Sequence, residues 1–407
     1  MASVCFYFQV HQPYRLGHYT VFDDHAAYFD EQKNATICRK VAEKCYLPAN
    51  RLMLDLVREH GGGFKVAYSM TGVLLEQLQR YCPEVLGTFQ ELAQTGCVEF
   101  LAETYYHSLS FLHSHSEFLE QVDRHVETVE TLFGQTPRVF RNTELIYCNA
   151  LAEVIEGTGR FDGIITEGVD HLLGYRSPNF VYQPPRCRRV KLLLKNYRLS
   201  DDIAFRFSNR YWSEWPLRAD RFGHWISQIN GNGYVANLFM DYETFGEHQW
   251  HDTGIFEFLR HLPAEVLKHP DNDFKMPSEV LRSYAPVGIF DVPHAVSWAD
   301  RERDLSAWLG NPMQASAADN VYGLEDEIKA CGDSHLLEDW RRLQTSDHFY
   351  YMCTKYFQDG DVHKYFSPYD SPYEAYINYV NVLDHVRRRC SQALSRKRES
   401  LSSAHAA

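Results

Sequence analysis

A chain of 407 residues exceeds the usual length of one domain, yet a barrel with insertions reaches it, so length permits one large domain and an appendage. Hydrophobic residues at 44% and aromatics at 14% exclude a largely disordered chain and leave rings available for a ligand groove. A net charge of −13 excludes partners drawn in by a basic face, nucleic acid and anionic membrane surfaces among them, and suits a neutral substrate better.

The chain starts MASVCFYFQVHQPYRL, with no basic segment ahead of an apolar one, which predicts no secretion. No apolar run reaches the roughly 18 residues that would span a bilayer. Ten scattered cysteines without a CxxC pair read as free thiols in a reducing cytosol, so a cytoplasmic protein is expected.

The first element, Val4–Val10, is a continuous apolar run and predicts a strand buried on both faces. Phe64–Met70, Val98–Leu101, Val139–Arg141, Gly163–Thr166 and Tyr234–Met240 read the same way. Amphipathic helices lie between them. In Ser116–Phe133 the residues Phe118, Val122, Val126, Val129 and Phe133 recur at spacings of three and four, with charges elsewhere. Strands alternating with helices predict a parallel sheet covered by helices. From about residue 300, Glu302–Leu309, Ser334–Gln344 and Ser371–Leu394 read as helices with no strand between them. The expected division is a catalytic barrel over 1–300, a helical domain over 301–394 and a frayed tail over 395–407.

Each strand run ends in a polar cluster: HQP, SMTG, AETYYH, RNTE and DYETFGEH in turn. Parallel barrels carry their reactive side chains at the C-terminal ends of strands. Glu144, in VFRNTELIY, follows such a run beside Arg141 and Asn142, which could hydrogen-bond a carboxylate or a sugar hydroxyl. A lone glutamate there is more often an ion-pair partner or a helix N-terminal charge, but the surrounding clusters favour a nucleophile. Asp241 closes YVANLFMD with Glu243 and Glu247 nearby, and neighbouring carboxylates raise a pKa as a general acid requires. A structural, capping aspartate is the competing reading. His11, His107 and His248 lack HxD, HxH and HExxH spacing, which makes sugar-hydroxyl contacts a better role for them than zinc ligation, although core packing suits His248 equally. Tyr105, Tyr106, Tyr242, Trp298 and Trp308 could stack on pyranose faces or pack in the core. Asp300 and Asp304, in SWADRERDLSAWLGN, could bind sugar hydroxyls or pair with Arg301 and Arg303.

With these clusters in hand, the chain resembles glycoside hydrolase family 57, and most closely its α-amylase-type members. Five ordered regions carry the resemblance: His11-Gln12-Pro13, GVLLEQL at 72–78, RNTEL around Glu144, MDYETFGEH around Asp241, and 297–311. FLAETYYHSL, LSDDIAFRFS and LQTSDHFYYM extend it over nearly the whole chain. The resemblance implies an α/β fold, a distorted (β/α)7 barrel followed by a C-terminal helical region. It implies retaining chemistry on the α-glucosidic bonds of a glucan or maltooligosaccharide, with no required metal or other cofactor. By matching position, the nucleophile falls on Glu144 and the acid/base on Asp241. Gln12 lies in the first region, and His11, Glu76, Asp304 and Trp308 fall on positions associated with the substrate groove. Three other readings stand beside this one: a 4-α-glucanotransferase using the same residues, a metal-dependent deacetylase or mannosidase on a related barrel, and a non-catalytic glucan-binding protein.

Overall fold

The computed structural model describes residues 2–355, 364 and 367–405. The chain divides into two compact units, one of Met1–Gln12, Ala35–Glu103 and Val122–Trp298, the other of Pro13–Asn34, Thr104–Gln121 and Ala299–Ala407.

The described residues of the first unit form nine strands: β1 Ala2–Val10, β2 Val66–Met70, β3 Val98–Phe100, β4 Val139–Arg141, β5 Gly163–Glu167, β6 Val181–Tyr182, β7 Lys191–Lys195, β8 Val235–Asp241 and β9 Asn272–Phe274. The six apolar runs read from the sequence fall on β1, β2, β3, β4, β5 and β8. β7 escaped because RRVKLLLKN confines its apolar stretch to three residues between lysines. One sheet runs β3-β2-β1-β8, with β9 also on β1, and the other runs β4-β5-β7-β6. All of these pairings are parallel except that of β6 with β7.

Two seams join the sheets. At the first, the Ala102 N–H donates to Val139 O at 3.0 Å and the Arg141 N–H to Ala102 O at 2.8 Å, just past the end of β3. At the second, the Asn196 N–H donates to Asn237 O at 2.9 Å and the Asn237 side chain donates to Leu194 O at 2.8 Å. Strands β1-β2-β3-β4-β5-β7-β8 thereby follow one another in a ring, with long insertions in their connections, in an α/β fold.

Strand side chains alternate faces, and here both faces are dry. From β1, the residues Val4, Phe6, Phe8 and Val10 join an outer core with the helices, whereas Cys5 and Tyr7 join a smaller inner cluster with Ala67, Leu101, Val139, Ile165, Leu193 and Phe239. Two residues beyond each inward member, the same face carries Gln9, Ser69, Glu103, Arg141, Glu167, Lys195 and Asp241. The ring is plugged with apolar side chains and closed by a polar rung.

The loop after β8 is fixed from outside the ring by the π-helical turn Ala42–Tyr46. Cys45 Sγ donates to Tyr242 O at 3.2 Å, the Tyr46 hydroxyl donates to Glu243, and Lys40 and Lys44 approach Glu247 at 2.7 and 3.7 Å.

In the second unit, Glu117 is fully buried against Arg341 at 2.8 Å and Lys329 at 2.9 Å, an ion cluster tying three helices together. The unit takes Pro13–Asn34 and Thr104–Gln121 in addition to the segment expected at 301–394, because those long insertions after β1 and β3 pack with it. Only Ser306–Leu309 of the helix expected over Glu302–Leu309 is helical, with Asp304 hydrogen-bonded to Ser306 just before it. The last helix runs Pro372–His405 through most of the segment expected to fray. Among the described residues, no helix is long and apolar enough to cross a membrane.

Gly246 holds φ 115°, and a β-carbon there would overlap the Lys44 carbonyl. Gly246→Ala is therefore expected to destabilise the fold by at least ~2 kcal/mol, through backbone strain and the lost approach of the two segments. Urea denaturation measures it, and a loss under about 0.5 kcal/mol would contradict the close approach.

Candidate functional site

The polar rung is a sequence of alternating charges around the ring: Glu103 on the chain leaving β3, Arg141 on β4, Glu167 on β5, Lys195 on β7 and Asp241 on β8. Arg141 and Glu103 lie 3.6 Å apart, both fully buried, and Lys195 and Glu167 are likewise 3.6 Å apart. Lys195 is also 3.4 Å from Asp201. Buried charges survive only when paired and hydrogen-bonded. Glu103 meets that demand with donors from Gln9 Nε2 at 3.1 Å and Ser69 Oγ at 2.5 Å. Gln9 is oriented in turn by the Tyr7 hydroxyl at 2.7 Å. Behind them His125 accepts from the Glu103 N–H at 3.3 Å and donates through Nε2 to Met70 O at 2.7 Å, with burial holding its pKa down in the neutral form. The three guanidinium nitrogens of Arg141, by contrast, find no hydrogen-bond acceptor among the described residues.

Glu144 stands three residues past β4 in a single 3-10 turn, Thr143–Leu145. Its own φ is 56° and that of Leu145 is 51°, a left-handed conformation that costs roughly 1–3 kcal/mol for a residue with a side chain. An antiparallel bridge between Tyr147 and Val296 brings the segment ending at Trp298 alongside. The Trp298 N–H donates to Glu144 O at 3.2 Å, and the indole Nε1–H donates to Glu144 Oε2 at 2.7 Å. The Arg141 guanidinium lies 5.1 Å and the Lys195 ammonium 5.3 Å from the indole centroid, both at cation–π range. Two cations thus lie at cation–π range of the indole that binds Glu144.

Asp241 ends β8 in register with Gln9 of β1 and is partly exposed. Its surroundings are acidic. Glu243 is nearly buried, accepts from the Tyr46 hydroxyl and the His11 N–H, and has its pKa pushed up to about 8 by burial and then by the Asp241 charge. His248 has a pKa lowered to about 4 by burial, against the pull of Glu247, and its N–H donates to Glu243 O at 2.9 Å.

His11 shares a hydrogen bond of 2.8 Å with Thr71, the N-cap of the helix Gly72–Tyr81. Gln12 is buried, its carbonyl accepting from Gln77 at 2.8 Å, and Glu76 lies 3.5 Å from Arg124. Tyr242 is not a platform: its ring is fully buried, flanked by Tyr46, Phe8 and Tyr68, and its hydroxyl donates to Asn50 at 2.7 Å. The strand period explains this, since the residue after inward-facing Asp241 points out into the helix layer. Trp308, Tyr105, Tyr106 and His107 belong to the second unit and are buried there, Trp308 against Tyr350. Asp304, in the same unit, is exposed and accepts from Ser306 N and Oγ. Glu103, His125, Glu167 and Lys195 were not singled out in the sequence. The first, third and fourth carried a signal there: a charge two residues beyond an inward apolar position.

Glu243 yields a test in stability. A carboxyl held neutral up to about pH 8 in the fold but ionising near 4.5 when unfolded contributes stability below 4.5 that is lost as pH rises towards 8. Glu99, raised by burial to about 7, acts in the same direction and is untouched by the substitution. Glu243→Gln is therefore expected to flatten the fall in melting temperature between pH 5 and 8. Parallel melting curves for parent and variant across that range would show Glu243 to be charged in the fold.

The profile of Glycosyl hydrolase family 57 matches residues 5–293. A Methanocaldococcus jannaschii protein named "Putative alpha-amylase" is 44% identical over 394 residues, 93% of this chain and 83% of its own. Among solved structures, a family 57 branching enzyme from Thermococcus kodakaraensis aligns with a TM-score of 0.69 at 14% identity, over 95% of this chain and 89% of its own. An α-amylase from Thermotoga maritima gives 0.63 at 12% identity, over 96% and 94%. At such identities the structural likeness is one of fold.

Proposed function

Since the chain belongs to glycosyl hydrolase family 57, we propose that this glycoside hydrolase cleaves the α-1,4 bonds of glucans and maltooligosaccharides by double displacement, with Glu144 as nucleophile and Asp241 as acid/base. The observation that carries the reading is the contrast between the two carboxylates. Glu144 takes an indole donor on its oxygen, and that indole has two cations at cation–π range, an environment that favours the charged form. Asp241 ends a buried strand beside Glu243, and the repulsion between the two carboxyls makes the pair keep one proton up to about pH 8, which is then at hand for Asp241 to deliver. A nucleophile must arrive ionised and a general acid protonated, so the fields match the roles.

In the first step Asp241 gives its proton to the glycosidic oxygen while Glu144 attacks the anomeric carbon, and the leaving chain departs as an alcohol. In the second, Asp241 takes a proton from water, which releases the sugar from Glu144 with the α configuration restored. The similarity to a relative named as an α-amylase supports a glucan as substrate. Ten cysteines, none in a disulfide, support a cytoplasmic setting.

Glu144→Ala is expected to abolish turnover with the fold intact, and added azide to restore part of it by forming a β-glycosyl azide. Activity within about tenfold of the parent, only about 1.4 kcal/mol of barrier, would remove Glu144 from the nucleophile role. Asp241→Asn should cut hydrolysis of natural glucans by roughly 10²–10⁴-fold, yet give a burst of aryl alcohol from an activated aryl α-glucoside, whose departure needs no proton. Equal losses on both substrates without a burst would take the acid role from Asp241 and make Glu243 or Glu247 the next candidate. On a maltooligosaccharide of defined length, products shorter than the substrate are expected. Longer ones would make a glucan hydroxyl the acceptor in place of water.

A further inference from the structure

We propose that Trp298 is a positioning residue that holds the Glu144 carboxylate in place, and that the buried cations Arg141 and Lys195 act on Glu144 through its ring. The inference rests on the nucleophile reading above and adds the device that makes Glu144 usable.

Three observations meet here. Glu144 occupies a left-handed backbone conformation that a glutamate does not hold unaided, and one residue grips it at both ends, backbone to backbone at 3.2 Å and indole Nε1 to Oε2 at 2.7 Å. Trp298 packs against the inner apolar cluster of the ring, which fixes its plane. Arg141 and Lys195 lie 5.1 and 5.3 Å from the ring centroid. A buried guanidinium with no acceptor among the described residues is an expensive group to keep in a core whose nearest carboxylate, Glu103, stands 3.6 Å away. A role in orienting and polarising the indole accounts for its retention: cations on a π-system strengthen the N–H as a donor, and that N–H meets the carboxylate. The carboxylates beside these cations, Glu103 at Arg141 and Glu167 with Asp201 at Lys195, moderate their charge.

The hydrogen bond also orients the carboxylate. With Oε2 tied to the indole the plane of the group is set, so the latch bears on the trajectory of the nucleophile as well as on its charge. Substrate binding needs neither, which separates this role from that of a sugar platform.

Trp298→Phe keeps an aromatic ring and the backbone N–H while deleting the indole donor. The expected result is a fall in kcat of roughly 10²-fold with KM within about threefold, and an acid limb of the kcat/KM profile moved up by roughly one pH unit, since a carboxylate that loses a donor protonates more readily. Should Phe perturb folding, 3-benzothienylalanine at 298 replaces only the ring N–H by sulfur and should reproduce both changes. A platform role would instead raise KM with kcat and the acid limb preserved, and that outcome overturns the proposal, as does an unchanged profile. Glu144→Ala, measured in parallel, separates the two layers. Activity retained there removes the nucleophile reading itself, whereas a dead Glu144→Ala beside a fully active Trp298→Phe removes the latch alone.

Discussion

The organising constraint is the two-residue period of a strand inside a closed parallel ring. Every residue of β1, β2, β4, β5 and β8 short of Asp241 is buried, so neither face offers water to a polar group along the length of the strand. The inward face must be apolar until the strand nears the mouth of the ring, and the first inward position past that plug is the first place where a charge can be held. The sequence obeys this strand by strand: Tyr7 then Gln9, Ala67 then Ser69, Leu101 then Glu103, Val139 then Arg141, Ile165 then Glu167, Leu193 then Lys195, Phe239 then Asp241. The site is where the plug ends.

Its charges alternate in sign. A carboxylate and a cation follow one another around the rung, and the register Glu167 to Lys195 in the β5/β7 ladder makes one such pair an adjacent-strand contact. Neutral hydrogen-bonding side chains, Gln9 and Ser69, fill the arc between Asp241 and Glu103, the two rung carboxylates not separated by a cation. Glu144 and Asp241 thus stand in different surroundings on one scaffold, the one held by an indole N–H and the other beside Glu243. Polar satisfaction and chemistry draw on the same residues.

The sequence made the skeleton legible because buried parallel strands leave an unmistakable mark, as in FYFQV and VANLFM, and because reactive clusters follow them directly. Glu144 and Asp241 were reachable on that logic. Tyr242 was misread because a motif position says nothing of parity: one step from an inward aspartate lies the packed outer layer. β7 was missed since its flanking lysines mask a three-residue apolar centre, and with it went Lys195. Trp298 was legible as an aromatic amid polar residues, but its contact with Glu144 spans 154 positions and depends on a bridge between Tyr147 and Val296 that no local pattern announces. The helical unit drew in Pro13–Asn34 and Thr104–Gln121 for the same reason, since long-range packing leaves little trace in local periodicity.

The two seams have a mechanical meaning. Glu144 follows β4 in one sheet, and Asp241 ends β8 in the other, so no continuous hydrogen-bonded ladder connects them. The gap between the carboxyl groups is set like that of callipers, by the short contacts at Ala102 and at Asn237 where the two halves of the ring are pinned together. A residue at either pin, though it lies outside both carboxylate clusters, therefore bears on how far apart the two jaws stand.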